Sequence, residues 1–185
     1  MTAIPAPVNG HWTAADLDRL DDTYRYEIVD GNVLVNASPS GRHQRIILRL
    51  AQLLEAQLPE GLLVVPDVDV VLDPENTRRP DLIVAAAELA EQERFAAEDV
   101  HLVVEVVSPG SMNADRVAKP AQYATCRIPA YWRVETKPDI SIIEYRLAEG
   151  SYAQAAPATV TFMTGEPWPV KISIADLHPL RRLRS

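Results

Sequence analysis

A single carboxylate inside an apolar strand constrains this chain more than any other feature. Across residues 101–107, Val103, Val104, Val106 and Val107 place apolar side chains on both alternating faces, and Glu105 is the one acid among them. A strand that is apolar on both faces is a central, buried one. An unpaired carboxylate there costs several kcal/mol or more. Glu105 must therefore be ion-paired, protonated or bound to a metal. A fold built around such a strand has to deliver it a partner.

The surrounding pattern predicts that fold. Residues 40–58 form the clearest helix: Ile46, Ile47, Leu50, Leu53, Leu54 and Leu58 recur on one face, and Pro59 and Gly61 stop it. His43 falls in line with Ile47, Leu50 and Leu54, at the edge of the core. Arg42, Arg45 and Arg49 share the neighbouring face with Gln52. Residues 13–20 read as a short helix, with Thr13 as N-cap and Asp16 at capping-box distance. Residues 24–29 and 32–35 flank Asp30-Gly31, a two-residue hairpin signal. Strands follow at 62–72, 80–85 and 101–107. Next comes a helical segment carrying Asp115, Lys119 and Tyr123, then strands at 131–134 and 140–145, a turn at Glu149-Gly150, and weaker strands to about residue 174. Helices lie between strands, which predicts the α/β or α+β class, a mixed β-sheet flanked by helices. No repeat and no linker divides the chain. It reads as one domain over 13–178, with an N-terminal extension at 1–12 and a basic tail at 179–185.

Composition narrows the function classes. With 185 residues, 47% hydrophobic and 24% charged, the chain is expected to build one ordinary core. No apolar run approaches the roughly 20 residues of a membrane span. Met1-Thr2-Ala3-Ile4-Pro5-Ala6-Pro7 has no basic segment followed by an apolar one, so a cytoplasmic protein is expected. Cys126 is the only cysteine, which excludes an internal disulfide and a cysteine-based zinc cluster. The balance of 18 basic against 26 acidic residues gives −8, which argues against holding nucleic acid by bulk charge. It leaves room for a metal-dependent nuclease, whose clustered carboxylates lower the net charge at the site itself.

Asp81 opens an apolar strand in Arg78-Arg79-Pro80-Asp81-Leu82-Ile83-Val84. Two readings stand for it: a strand-end acid bonded to backbone amides, or half of an oxygen-ligand pair with Glu105 suited to Mg2+ or Mn2+. Asp67 and Asp69 read as solvated acids on one face of the preceding strand, because Val68 and Val70 take the other. Asp115, Lys119 and Tyr123 line one side of a helix at spacing four, either as a surface ion pair or as part of a site. Pro120 implies that this helix starts near Lys119 or is kinked there. His43 reads as a packed core residue unless a metal lies beside it, where imidazole can ligate or relay a proton. Arg42, Arg45 and Arg49 read as a solvated face or as phosphate contacts, and the same holds for Arg181-Arg182-Leu183-Arg184. Tyr131-Trp132 and Cys126 read as packing residues.

Taken in order, Tyr26-Glu27 before Asp30-Gly31, His43, Pro80-Asp81, Glu105-Val106-Val107-Ser108-Pro109, Asp115, Lys119, Tyr123 and Tyr131-Trp132 form a pattern. It resembles the Uma-type restriction endonuclease family of the PD-(D/E)XK phosphodiesterase superfamily, over about residues 16–177. The resemblance implies a restriction-endonuclease-like core with a divalent metal, Mg2+ or alternatively Mn2+, at one end of the sheet. Asp81 and Glu105 would ligate it, with the main-chain carbonyl of Val106 as third ligand. The orthodox pattern has a lysine two residues after the acid, where this chain has Val107. The family is thought to supply that cation from the following helix, here Lys119, to orient or deprotonate the attacking water and offset charge. Glu27 and His43 match supporting positions, and Tyr123 would hold the lysine or a phosphate oxygen. Cys126-Arg127 departs from the small-residue and glycine pair expected before Ile128-Pro129.

The function implied is a divalent-metal-dependent endonuclease acting on DNA and leaving a 5′-phosphate, with a homodimer as the common arrangement for cutting two strands. The alternative is a catalytically weak or inactive nuclease-like module that binds nucleic acid or a protein partner. A small-molecule phosphodiesterase is a third reading, favoured by a closed, narrow pocket.

Overall fold

Asp30 and Gly31 adopt left-handed backbone, with φ of 48° and 69°, and close the expected hairpin between β1 (Arg25–Val29) and β2 (Asn32–Asn36). Both central residues of such a turn need φ above zero, which Asp tolerates and Gly prefers. The computed structural model describes residues 6–7, 10–21, 24–108, 110, 112 and 114–178. Pro109 and the basic tail 179–185 lie outside the described residues. Ahead of the hairpin, a 3₁₀ turn over Ala14–Arg19 is capped by Asp16, whose carboxylate accepts the Thr13 amide at 3.0 Å and the Thr13 hydroxyl at 2.8 Å. After it, the Ser40 hydroxyl accepts the His43 amide at 3.3 Å and starts α1 (Gly41–Glu55).

The run 62–72 is two strands, not one. β3 (Leu62–Pro66) and β4 (Asp69–Asp73) belong to different sheets. Pro66 offers no amide to a ladder, and Asp67 turns the chain with φ of 53°. The Asp67 amide then donates to the Asp81 carbonyl at 3.2 Å. The expected single solvated face for Asp67 and Asp69 is therefore corrected: Asp67 sits at a corner, and Asp69 is largely buried on β4.

The remaining strands are β5 (Asn76–Arg78), β6 (Leu82–Ala86), β7 (Arg94–Ala96), β8 (Val100–Val106), β9 (Ala130–Glu135), β10 (Ser141–Ala148), β11 (Ser151–Gln154), β12 (Thr161–Thr164) and β13 (Val170–Ser173). Between β8 and β9, a π-type turn over Ala114–Ala118 leads into α2 (Lys119–Thr125). Pro120 is the second residue of α2, directly after the π-type turn, where it removes one amide donor from the helical run. One sheet has the order β2-β1-β5-β4-β7, the other β11-β10-β9-β8-β6-β3, and β12-β13 form a separate hairpin. The chain passes repeatedly between the two large sheets.

The six-stranded sheet carries the core on both faces. Ile46, Ile47, Leu50 and Leu54 of α1 pack with Leu102, Val104 and Trp132 on one face. Val103, Ile83 and Tyr131 pack with Tyr123 of α2 and with Val70 and Phe95 from the other sheet on the opposite face. β8 lies between β6 and β9, so the apolar run around Glu105 is central, as its pattern requires. Among the described residues, no helix is long and apolar enough to cross a membrane. Leu50 is fully buried at the helix–sheet contact, whereas Leu48 on the same helix is 47% exposed. Leu50→Ala should cost about 2–5 kcal/mol in denaturant unfolding, and Leu48→Ala less than about 0.5 kcal/mol.

Candidate active site

Alternation along β8 puts Leu102, Val104 and Val106 toward α1, and turns Val103 and Glu105 toward α2. There the Lys119 ammonium donates to Glu105 Oε1 at 2.8 Å, and the Tyr123 hydroxyl donates to the same oxygen at 2.9 Å. The spacing of Lys119 and Tyr123 on α2 brings both donors to one side. Lys119 Nζ also lies 3.2 Å from Asp115 Oδ1 and 3.5 Å from Glu27 Oε1. Tyr131 donates to the Asp115 carbonyl at 2.7 Å and holds the π-type turn on the sheet. Glu27, from β1, accepts from Arg78 Nη1 and from the Arg79 amide, both at 3.1 Å. Arg78 in turn donates through Nε and Nη2 to Gln122 Oε1 at 2.8 and 2.6 Å, which ties β5 to α2.

Asp81 stands just before β6. Register pairs Leu82 with Val104, so β8 runs on past the start of β6 and Val106 has no β6 partner. The Asp81 carboxylate takes that place, with Oδ2 accepting the Val106 amide at 2.7 Å. The N–H and C=O of one strand residue leave on the same edge. The Val106 carbonyl therefore shares Asp81's side, while the Val107 amide donates the other way, to Val134. His43 Nε2 lies 3.0 Å from Asp81 Oδ1, and its buried Nδ1 has no hydrogen-bond partner among the described residues. The backbone-bonded reading of Asp81 is thus present, and so is its neighbourhood with Glu105.

Among the described residues, the carboxylates of Glu27, Asp81, Glu105 and Asp115 are buried here against two buried permanent cations, Lys119 and Arg78. Burial pushes the Glu105 carboxyl above its ordinary value. Lys119 opposes that shift, and Asp115, Asp81 and Glu27 reinforce it. Burial pulls Lys119 down, but the carboxylates of Glu105, Glu27 and Asp115 outweigh it and hold the ammonium above its ordinary range. Lys119 is therefore a fixed positive charge at neutral pH. Burial also raises the Tyr123 phenol far above its usual value, so it remains a donor.

A cavity of about 540 Å³ opens over these groups, lined by Glu27, His43, Asp81, Glu105, Val106 and Lys119 together with Arg25, Arg79 and the segment Leu34–Ser40. Glu27, His43, Asp81, Glu105, Val106, Lys119 and Tyr123 thus come together, all but Tyr123 lining the cavity and Tyr123 bonding Glu105 from behind it. Arg42, Arg45 and Arg49 lie on α1 outside the residues that line it. Arg78, Gln122, Arg25 and Arg79 were not singled out in the sequence. The adjacency of Arg78-Arg79 to Pro80-Asp81 was the one available signal. Among the described residues, no group of three His, Cys, Asp or Glu side chains is arranged to hold a metal ion. The donor chemistry nevertheless fits a hard cation: the Asp81 and Glu105 carboxylates and the Val106 carbonyl are oxygens, in a cluster where acid outnumbers base.

Residues 14–174 match the model of the family Uma2, described as putative restriction endonuclease. No curated protein matches the chain. A solved structure described as a putative nuclease belonging to DUF820, from Anabaena variabilis, is similar at 15% identity with a TM-score of 0.70, covering 90% of this chain and 97% of that one. The shared arrangement is the restriction-endonuclease-like fold.

Glu27 gives a pH test of the cluster. Burial raises its pKa, but the charges of Lys119 and Arg78 and the Arg79 amide bring it below its ordinary 4.5. A carboxyl lowered by folding contributes stability above its unfolded pKa and loses it as pH falls through the folded value. Glu27→Gln should therefore destabilise by about 2 kcal/mol at neutral pH. The gap from wild type should close below pH 4.5, measured by urea unfolding across pH.

Proposed function

The chain belongs to the Uma2 family of restriction-endonuclease-like proteins, and from that membership and the geometry of the cavity we propose that it is a divalent-metal-dependent endonuclease hydrolysing DNA phosphodiester bonds at Asp81, Glu105 and Lys119. One observation carries the reading. Two carboxylates and a buried ammonium, from the residue before β6, from β8 and from α2, converge on one cavity, and the buried cluster behind it holds more acid than base. Asp81, Glu105 and the Val106 carbonyl would hold Mg2+, or Mn2+ in its place. When bound, such an ion supplies positive charge that acidifies the attacking water and offsets charge on the phosphodiester.

The protein's own groups then have separate tasks. The Asp81 carboxylate is held on one side by the Val106 amide and on the other by His43 Nε2, so its orientation is set before substrate arrives. Tyr123 fixes the rotamer of Glu105. Lys119, held protonated by three carboxylates, serves as a charge for a phosphate oxygen and not as the base. Glu27, anchored by Arg78 and the Arg79 amide, keeps the ammonium in the cluster. Hydrolysis forms a bond from water oxygen to phosphorus and breaks the bond to the 3′ oxygen. It leaves a 5′-phosphate and a 3′-hydroxyl, with the second water proton released. The second reading, a module that binds without cleaving, is favoured by Val107 at the orthodox lysine position and by the net charge of −8.

Supercoiled plasmid incubated with Mg2+ or Mn2+ should be nicked or linearised, and EDTA should abolish cutting. Asp81→Asn, Glu105→Gln and Lys119→Met should each lose at least about 10²-fold in rate, with thermal unfolding confirming that each variant folds. Cutting that survives Lys119→Met but not the two acid variants would remove the lysine assignment. No cutting with either ion, and no ion bound by calorimetry, would leave the binding module.

A further inference from the structure

Two arginines stand on the wall of the same cavity without a role in the chemistry so far. Arg25 lies two residues before Glu27 on β1, so both side chains leave the strand on one face. Their cross-strand partners, Asn36 and Leu34, line the cavity with them. Arg79 stands two residues before Asp81, with its amide fixed on Glu27 Oε1 at 3.1 Å. The two guanidiniums meet at one carboxylate: Arg79 Nε lies 2.9 Å from Asp67 Oδ1, and Arg25 Nη2 contacts the same oxygen. Arg79 Nη1 also lies 3.6 Å from Asp69 Oδ1. Asp67 is itself fixed, because its amide donates to the carbonyl of Asp81. The main chain therefore sets where the arginine pair stands relative to Asp81.

A guanidinium carries five N–H donors in a planar fork that matches phosphate oxygens in pairs. The contacts with Asp67 and Asp69 engage only part of each fork, and the side chains of Arg25 and Arg79 remain 20% and 32% exposed. The carboxylates lining the same cavity repel a polyanion, so a strand that enters needs cations beside them.

We propose that Arg25 and Arg79, braced by Asp67, form a clamp for a backbone phosphate of the nucleic acid adjacent to the one at Asp81 and Glu105. The inference rests on the nuclease reading and adds to it where the strand is gripped. The clamp reads backbone and carries no base specificity.

The test is a salt series. Fluorescence anisotropy with short labelled single-stranded DNA, duplex DNA and RNA, in Ca2+ to limit cutting, gives the slope of log K against log salt for each. Arg25→Gln and Arg79→Gln should each reduce the slope by about 0.9 on duplex or about 0.7 on a single strand, and weaken different sequences alike. Arg79→Lys keeps the charge and should keep the slope while losing affinity. Lys171→Gln, at an exposed position of β13, should change neither. The clamp is overturned if Arg25→Gln and Arg79→Gln lower the melting temperature but leave the slope intact, since the pair would then serve only to pin the Asp67 corner. It is also overturned if the slope falls instead in Arg42→Gln, Arg45→Gln or Arg49→Gln, which would route the strand over α1. Wild type binding none of the three probes would remove the nuclease reading itself. Binding with slopes unaltered by the arginine variants would remove the clamp alone.

Discussion

Burial of Glu105 near the end of the central strand β8 is the constraint from which the rest of the molecule follows. A carboxylate cannot sit inside a six-stranded sheet without compensation, and the compensation here arrives on α2, as the ammonium of Lys119 and the hydroxyl of Tyr123. Docking α2 in turn needs the π-type turn held by Tyr131 and the link from Arg78 to Gln122. The tilted packing of Tyr123 against Tyr131, with ring centroids 5.6 Å apart, helps supply the dry surroundings that make these pairs strong. Stability and chemistry are therefore laid on the same side chains.

The same economy explains why bulk charge is a poor guide to what this protein handles. Of the chain's 26 acids, only four among the described residues stand in the buried cluster, against Lys119 and Arg78, so most of the net −8 is carried elsewhere. Positive and negative side chains line the same cavity, and in the proposed reading their local placement, not the net count, decides how a strand lies.

Much of this was legible in the chain. The all-valine surroundings of Glu105 announce a central strand, Asp30-Gly31 announces its hairpin, and the helical wheel turns His43 inward before any partner is known. What could not be read was the partnership itself. His43 and Asp81 are 38 residues apart, and Lys119 and Glu105 are joined across a helix that Pro120 blurs. Spacing set Lys119 beside Asp115 and Tyr123, but the resemblance alone assigned its role and singled out Glu27. The corner at Asp67 was missed because alternation of Val68 and Val70 continues smoothly through a change of sheet; only Pro66 marked it. β5 and β7, of three residues each, are too short for any period to show, which hid Arg78 and two of the five strands of that sheet.

The route of the chain between its sheets has a consequence for how the molecule folds. It crosses from one to the other between β2 and β3, β3 and β4, β5 and β6, β6 and β7, and β7 and β8. Neither sheet is a contiguous stretch of sequence, so each needs strands from distant parts of the chain to close it. Loop closures that bring distant strands together must be completed before burial rewards them, and a fold rich in such contacts is expected to form slowly. The four acids stand on β1, just before β6, on β8 and in the turn before α2, so their arrangement depends on those long-range closures and on no one local segment.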